Sequence, residues 1–346
     1  MPTTTQDGAE LVTVDELRRT TVAALAEAGA HEEDALIQAD QLLEAELRGH
    51  PSHGVRRVPV LCGRLRAGLI VTGTAPTVIW ASESALDVDG NLGFGPVSAH
   101  AALDSLLPRA ASTGIAVAAI RRSHHVGMLA PYVERMAAAG FVGLVLTTSE
   151  GLVHPWGGAG ALVGTNPIGI GVPSGDKPLI LDMSTAAVSM GKILDYKARG
   201  QEIPLGWAVD RDGHPTTDAA AAAEGALSPF GGPKGYALGV AVEAVVGLLS
   251  RTAFGTEVTG TLDTVNPTTK GDLFIAISTG VFGADRHAAG LAQYFEQIRS
   301  SGVDSTSVGI PGDRARQTRS DRLEHGVPVD PALWASLQAL STGSQS

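Results

Sequence analysis

One ten-residue stretch, RGHPSHGVRR at residues 48–57, holds His50, Ser52, His53, Arg56 and Arg57 together. A histidine can give or take a proton near neutral pH. An arginine can grip a carboxylate through two parallel hydrogen bonds. If residues 53–57 are helical, His53 and Arg57 stand four apart on one face. That pair suits a small anionic substrate whose reacting oxygen lies beside its carboxylate. A solvated helix start with surface ion pairs fits the same spacing, so both readings stay open here.

A second stretch, RRSHHVG at 121–127, sets His124 and His125 after an apolar strand, where loops commonly present functional groups. A hydrogen-bonded loop histidine would look the same. Adjacent histidines rarely meet at one ion, and no ligand-spaced partner stands nearby, so no metal site is expected. GTNPIGIGVPSG (164–175) and SPFGGPKGYALG (228–239) read as irregular Gly/Pro-rich loops whose N–H groups can face an anion. Lys234 stands just before a helix, whose N-terminus already favours anions. Asp182, ending the apolar LILD, could act as an acid or orient a base, and reads first as a cap for the next helix. GIPGDRARQTRSDRLEHG (309–326) opens a charged helix, either solvated or anion-binding at its start.

The elements that must position these groups follow from periodicity. TVDE (13–16) is a capping box opening an amphipathic helix that Gly29 stops. A second helix spans about 33–48 and ends at Gly49 and Pro51, and a third begins near Ser52 or Val55. From about residue 76, strands (85–90, 114–120, 141–149, 178–185, 272–278) mix with helices (96–112, 128–140, 186–197, 235–250, 285–300, 331–340). They do not alternate cleanly enough for a doubly wound sheet. GAGALVG (158–164) and GIGVPSG (169–175) lack the G-x-G-x-x-G spacing of a dinucleotide fingerprint, and GGPKG is no P-loop.

The 346 residues carry a net charge of −11, with 44% hydrophobic and 18% charged residues, a globular composition with room for two or three domains. The acidic balance argues against nucleic acid and anionic membrane as partners. No apolar run reaches the roughly 20 residues of a bilayer span, and the N-terminus lacks the pattern of a signal peptide. A cytoplasmic location is expected. Cys62, the single cysteine, sits among Val60, Leu61 and Leu65 and reads as core.

Seven segments in order, RGHPSHGVRR, RRSHHVG, WGGAGALVGTNPIGIGVP, LDMSTA, IPLGWAVDRDGHPTTD, GGPKGYAL and GIPGDRARQ, resemble the malate/L-lactate dehydrogenase family. The likeness covers roughly residues 11–340. It implies an α+β, non-Rossmann NAD(P)-binding fold: a helical part from both termini (1–75 and 285–346) and a central sheet-containing cofactor and catalytic core (76–284). It implies NAD or NADP as cofactor, a homodimer, and interconversion of a small 2-hydroxy acid and its 2-oxo acid. Reduction of a cyclic imine is the alternative within the family.

By the same resemblance, His53 and Ser52 match an active-site pair, and Arg57 matches the arginine that holds the substrate carboxylate. His125 matches the loop histidine taken as acid/base, with His53 helping or replacing it. Thr165 lies near the substrate. Val126, Gly127, Met128, Leu129, Ser149, Met183, Ser184, Thr185, Lys234, Gly235, Pro311, Gly312, Asp313 and Arg314 match cofactor-contacting positions. The chain departs from the family pattern at Leu61 (often Tyr), Pro51 (usually Asp) and Arg122 (commonly Asn). Lys192 stands where the imine-reductase branch carries an acidic proton donor, which favours the hydroxyacid branch.

Overall fold

Segments from the N- and C-terminal parts of the chain pair with each other. In a computed structural model, which describes residues 9–343 apart from 176, 304 and 305, β1 (Glu10–Val12) pairs antiparallel with β13 (Val327–Val329). Helices α1 (Val14–Glu27), α2 (Glu32–Leu47), α3 (Val58–Arg66) and α11 (Pro331–Ser341) bury Leu17, Leu25, Leu42, Cys62, Trp334 and Leu337 in one apolar core. Thr13 caps α1 by accepting the Glu16 N–H at 3.3 Å, as the capping box predicts. Burial of Cys62 agrees with its reading as core.

A seven-stranded mixed sheet forms the second centre, in the order β2-β3-β4-β12-β5-β8-β9. Its strands are β2 (Thr77–Trp80), β3 (Ala85–Gly93), β4 (Ile115–Ser123), β5 (Phe141–Thr147), β8 (Ile168–Val172), β9 (Leu179–Met183) and β12 (Asp272–Ser278). Among its described neighbours only β3 and β4 run parallel, joined by the crossover helix α4 (Gly95–Thr113). Strand alternation splits the apolar residues between two faces. Ala116, Ala118, Ile120, Val145 and Phe274 pack under α4 and α5 (Ala130–Ala138). Val117, Ala119, Leu146 and Ile275 face α8 (Pro233–Ser250), which buries Val242 and Val246 against them. The fold is α+β, as the resemblance implies.

A four-stranded sheet of β6 (Gly151–Val153), β7 (Val163–Gly164), β10 (Ala208–Val209) and β11 (Ala226–Leu227) lies beside it with α6 (Met190–Ala198) and α7 (Ala219–Glu224). Helices α9 (Ala288–Arg299) and α10 (Asp313–His325) complete the chain.

Two expectations need correction. Residues 168–172 are not irregular: IGIGV is β8, inside the sheet between β5 and β9. Its glycines alternate because α5 leaves no space above them; a Cβ on Gly171 would drive into the Val133 carbonyl, and one on Gly169 would stand 2.9 Å from the Leu129 Cβ. Residues 53–57 are not one helical stretch either. Two 3-10 turns, Pro51–His53 and Val55–Arg57, flank Gly54. Gly54 lies against the buried Glu46 carboxylate, which accepts the Val55 N–H at 2.9 Å.

Candidate active site

Loops at the ends of β4, β5, β8 and β9 meet the 48–57 segment around a cavity of about 640 Å³. Its walls include Ser52, His53, Arg57, Gly127, Met128, Leu129, Thr165, Met183 and Ser184. The two 3-10 turns therefore bring His53 and Arg57 to one space without the shared helix face. Arg57 is held from two sides: Nε donates to the Ser52 carbonyl (3.0 Å) and Nη1 to the Thr261 carbonyl (3.1 Å). Three of its five N–H groups remain for a ligand.

His125 does not line the cavity; it lies behind His53. Its Nε2 is 3.3 Å from His53 Nδ1, and the ring planes are parallel to within 1°. The Gly127 main-chain N–H donates to His125 Nδ1 at 3.1 Å. A main-chain N–H can only donate, so Nδ1 carries the lone pair and the neutral ring bears its hydrogen on Nε2. That hydrogen goes to His53 Nδ1. His53 Nε2–H is left as the pair's free donor, without a partner among the described residues. Burial, then the neighbouring Arg57 charge, lowers the proton affinity of both rings: His53 to about 3, and His125 well below its ordinary value. The resting pair is neutral. His124 serves the scaffold instead, its Nε2 bonded to the Leu69 carbonyl at 2.9 Å.

Asp182 corrects its expectation as well. Its Oδ2 accepts the N–H groups of Leu129 (2.7 Å) and Ala130 (2.8 Å), so it caps α5, about fifty residues upstream, rather than the next helix. Burial pushes this carboxyl up to about 6, against those two N–H bonds.

A second hollow of about 440 Å³ shares His50, Met128 and Asp182 with the first. Pro311, Gly312 and Arg314 line it at the N-terminus of α10. Arg48 is committed to Glu44 and Glu134 and Arg316 to Asp313, but the Arg314 guanidinium has no hydrogen-bond partner among the described residues. An unpaired cation and a helix N-terminus suit phosphate. The two linked hollows offer a polar wall at His53 and Arg57 and a cationic one at Arg314.

The remaining sequence-derived positions fall behind these walls or apart from them. Val126 is buried beneath the turn, and Tyr132 Oη donates to its carbonyl at 2.6 Å. Ser149 Oγ lies behind Thr165, accepting its N–H (2.8 Å) and facing its hydroxyl (2.9 Å). Thr185 ties to the Thr165 carbonyl at 2.9 Å. Asp313 braces the rim by accepting from Arg299, Arg316 and the Ile310 N–H. Lys234 is exposed on the first turn of α8 and Gly235 is buried against Phe230; neither lines the two hollows.

Several supports carried no sequence signal. Asn166, buried at φ +34°, donates to the Gly239 carbonyl (3.1 Å) and the Glu243 carboxylate (2.8 Å), fixing the turn that presents Thr165. Glu150 holds the loop at 261–262. Lys270 and Asp272 form a buried ion pair with both Asp272 oxygens at 2.6 Å. The partners of Asn166 and Glu150 lie many residues away, where periodicity says nothing, and the Lys270–Asp272 pair shows only once its burial is known.

Comparison with known proteins gives the family. The profile of the family described as "Malate/L-lactate dehydrogenase" matches residues 12–338. The malate/(S)-sulfolactate dehydrogenase of Methanothermus fervidus is 35% identical over 96% of this chain and 97% of its own length. The delta(1)-pyrroline-2-carboxylate reductase of Ancylobacter novellus is also 35% identical, over 91% of this chain and 93% of its own. The crystal structure of a dehydrogenase from Sinorhizobium meliloti superposes with a TM-score of 0.91 at 44% identity, covering 96% of this chain and 98% of that one. On this match along nearly its whole length, the chain belongs to the malate/L-lactate dehydrogenase family of NAD(P)-dependent oxidoreductases.

Proposed function

We propose that the protein interconverts a small 2-hydroxy acid and its 2-oxo acid, with Arg57 holding the carboxylate and His53 serving the reacting oxygen. The observation that carries this reading is the shared wall: a tethered guanidinium with free N–H groups beside a neutral imidazole with a free donor. When bound, the nicotinamide supplies or receives the hydride. Arg57 fixes the substrate's orientation, which is the larger part of what a hydride transfer asks of the protein. Reduction consumes one proton: with substrate bound the pair takes it up from solvent and delivers it through His53 Nε2 to the oxo oxygen, returning to neutral; oxidation reverses this, Nε2 taking the hydroxyl proton and the pair releasing one to solvent. The bound carboxylate offsets the Arg57 charge, so the proton affinity of the histidine pair rises once substrate enters. His125, which the resemblance puts first, acts through His53 by fixing its tautomer. Ser52, Thr165, Met183 and Ser184 shape the walls, and Gly127 to Leu129 with Pro311 to Arg314 hold the cofactor.

The relative from Ancylobacter novellus favours a second reading, reduction of a cyclic imino acid. The site argues against it. Lys192 is exposed, with Nζ 4.8 Å from the centre of the Trp207 ring. Among the described residues Asp182 is the one acid on the cavity wall, and it is occupied with capping α5. Incubation with NADH or NADPH and a panel of 2-oxo acids and cyclic imino acids, followed by absorbance of the reduced cofactor, tests the choice. Oxidation with a 2-oxo acid supports the first reading; oxidation with imino acids alone replaces it.

We also infer a homodimer. The outer side of α8 exposes Leu238, Val245, Leu248 and Leu249, and beside it an apolar cleft lies open over β5, β8 and β9. Apolar patches of this kind mark interfaces. The division at 1–75, 76–284 and 285–346 draws support from the core shared by both chain ends. We place the protein in the cytoplasm, where an unpaired cysteine stays reduced; no helix among the described residues is long and apolar enough to cross a membrane.

A further inference from the structure

We propose that Glu150 is a positioning residue for Arg57, acting through a strap formed by the loop between α8 and β12. The inference rests on the reading of Arg57 as the carboxylate anchor. Glu150 follows β5 and touches neither hollow. A single carboxylate oxygen, Oε1, accepts three bonds from the strap: Thr261 N–H (2.7 Å), Thr261 Oγ1–H (3.0 Å) and Leu262 N–H (3.0 Å). The Thr261 carbonyl then receives Nη1 of Arg57, and Leu262 forms part of the cavity wall. The anion thus gathers the N–H groups of a turn so that one of its carbonyls faces the guanidinium. Bonds to a charged acceptor are about twice as strong as neutral ones, so the loop's position depends on that charge.

The strap is fastened a second time. Arg64, with a side chain 1% exposed, donates from Nη1 to the Asp263 carbonyl (2.5 Å) and from Nη2 to the Asn266 carbonyl (3.0 Å). Gly63 beside it permits the close approach, since a Cβ there would stand 2.8 Å from Thr264 Cγ2. Arg64 sets the strap's distance from α3, whereas Glu150 sets the tilt of the peptide that meets Arg57. Without Glu150 the strap stays attached, but the Thr261 carbonyl is free to turn away. The guanidinium then keeps only its tie to Ser52 and swings about it.

A double-mutant cycle tests this on the full-length protein with its cofactor. Glu150→Ala, Arg57→Ala and the pair are assayed with a 2-oxo acid, alongside cofactor affinity by fluorescence and Tm. Glu150→Ala should raise KM about tenfold, with kcat changed less than about threefold, because the loosened guanidinium keeps its fork and still grips the carboxylate by two bonds once substrate is bound. Cofactor affinity should be unchanged. In the Arg57→Ala background the Glu150 substitution should add less than about twofold, the non-additivity of residues that act as one unit. A KM within twofold of wild type, or the same tenfold loss with Arg57 already gone, overturns the positioning role alone. An Arg57→Ala variant with unchanged kcat/KM overturns the Arg57 reading itself, and this inference with it. If Glu150→Ala does not fold, Glu150→Gln keeps the shape and removes the charge. It should raise KM about threefold and show the same loss of effect without Arg57.

Discussion

Replacing Arg57 by lysine is the sharpest perturbation of the proposed anchor, because it keeps the charge and removes the fork. Arg57 makes two main-chain bonds and keeps three N–H groups for the substrate. A lysine ammonium has three donors at one point, and if it reaches the Ser52 or Thr261 carbonyl it cannot also present two parallel bonds to a carboxylate. One charge-assisted bond to the substrate is lost, on the order of 2–3 kcal/mol, which corresponds to roughly a 30- to 150-fold fall in kcat/KM. Both KM and kcat should suffer, since the remaining single bond lets the carboxylate pivot away from the geometry that hydride transfer needs. The assay is steady-state oxidation of the reduced cofactor by a 2-oxo acid, with cofactor affinity measured separately by fluorescence. Cofactor affinity should stay within about twofold, because no nitrogen of Arg57 is asked to hold the dinucleotide. A kcat/KM within threefold of wild type would refute the bidentate grip, and a parallel loss of cofactor affinity would move Arg57 to the other ligand.

Three further outcomes follow from the packing and the charges. Gly171→Ala should cost at least 2 kcal/mol and lower Tm by several degrees, because its Cβ has only the Val133 carbonyl to move into; an unchanged melting curve would mean that β8 and α5 do not meet so closely. His53 has its proton affinity lowered from 6.5 to about 3, so the unfolded chain takes up a proton that the folded chain refuses. Stability contributed this way is full above pH 6.5 and falls as pH drops toward 3, by about 1.4 kcal/mol per unit. Denaturation from pH 6.5 to pH 5 should therefore cost the wild type about 2 kcal/mol more than His53→Gln, and parallel curves would contradict the burial of a neutral ring. Lys270→Met should destabilise by about 3–5 kcal/mol by leaving Asp272 charged and alone in the interior, while Lys270→Met with Asp272→Leu should recover most of it. Equal losses in the single and double variants would show that the pair is more than compensated charge.

Much of the framework was legible because its signals are local. The capping box at Thr13, the alternation of β4 and β5 and the apolar faces of α2 and α8 depend on residues within a few positions of one another. The histidines and Arg57 could be singled out by type, yet their grouping has a different cause from the one their spacing suggests. Two 3-10 turns around Gly54, not a helix face, carry His53 and Arg57 to the cavity. β8 was hidden because IGIGV trades side chains for glycine wherever α5 presses on it, which erases the apolar alternation of a strand. Asp182 capping α5, Glu243 holding Asn166 and Glu150 holding the 261–262 loop each join residues 52 to 112 positions apart. Such pairs exist only once the sheet has brought loop ends together. The order of the two histidines belongs to the same class: only the Gly127 N–H and the ring-to-ring contact show which one faces the cavity.

In the proposed reaction His53, backed by His125, moves the proton at the substrate oxygen. Rapid mixing of a 2-oxo acid with protein already loaded with reduced nicotinamide measures that step before product release. His53→Gln should slow the transient on the order of a hundredfold or more with cofactor affinity intact. His125→Gln should slow it less and shift its pH dependence, since it frees the tautomer that His53 needs. A His53→Gln transient near wild-type speed, with the hundredfold loss found in His125→Gln instead, would take the proton transfer from His53 and give it to the second ring.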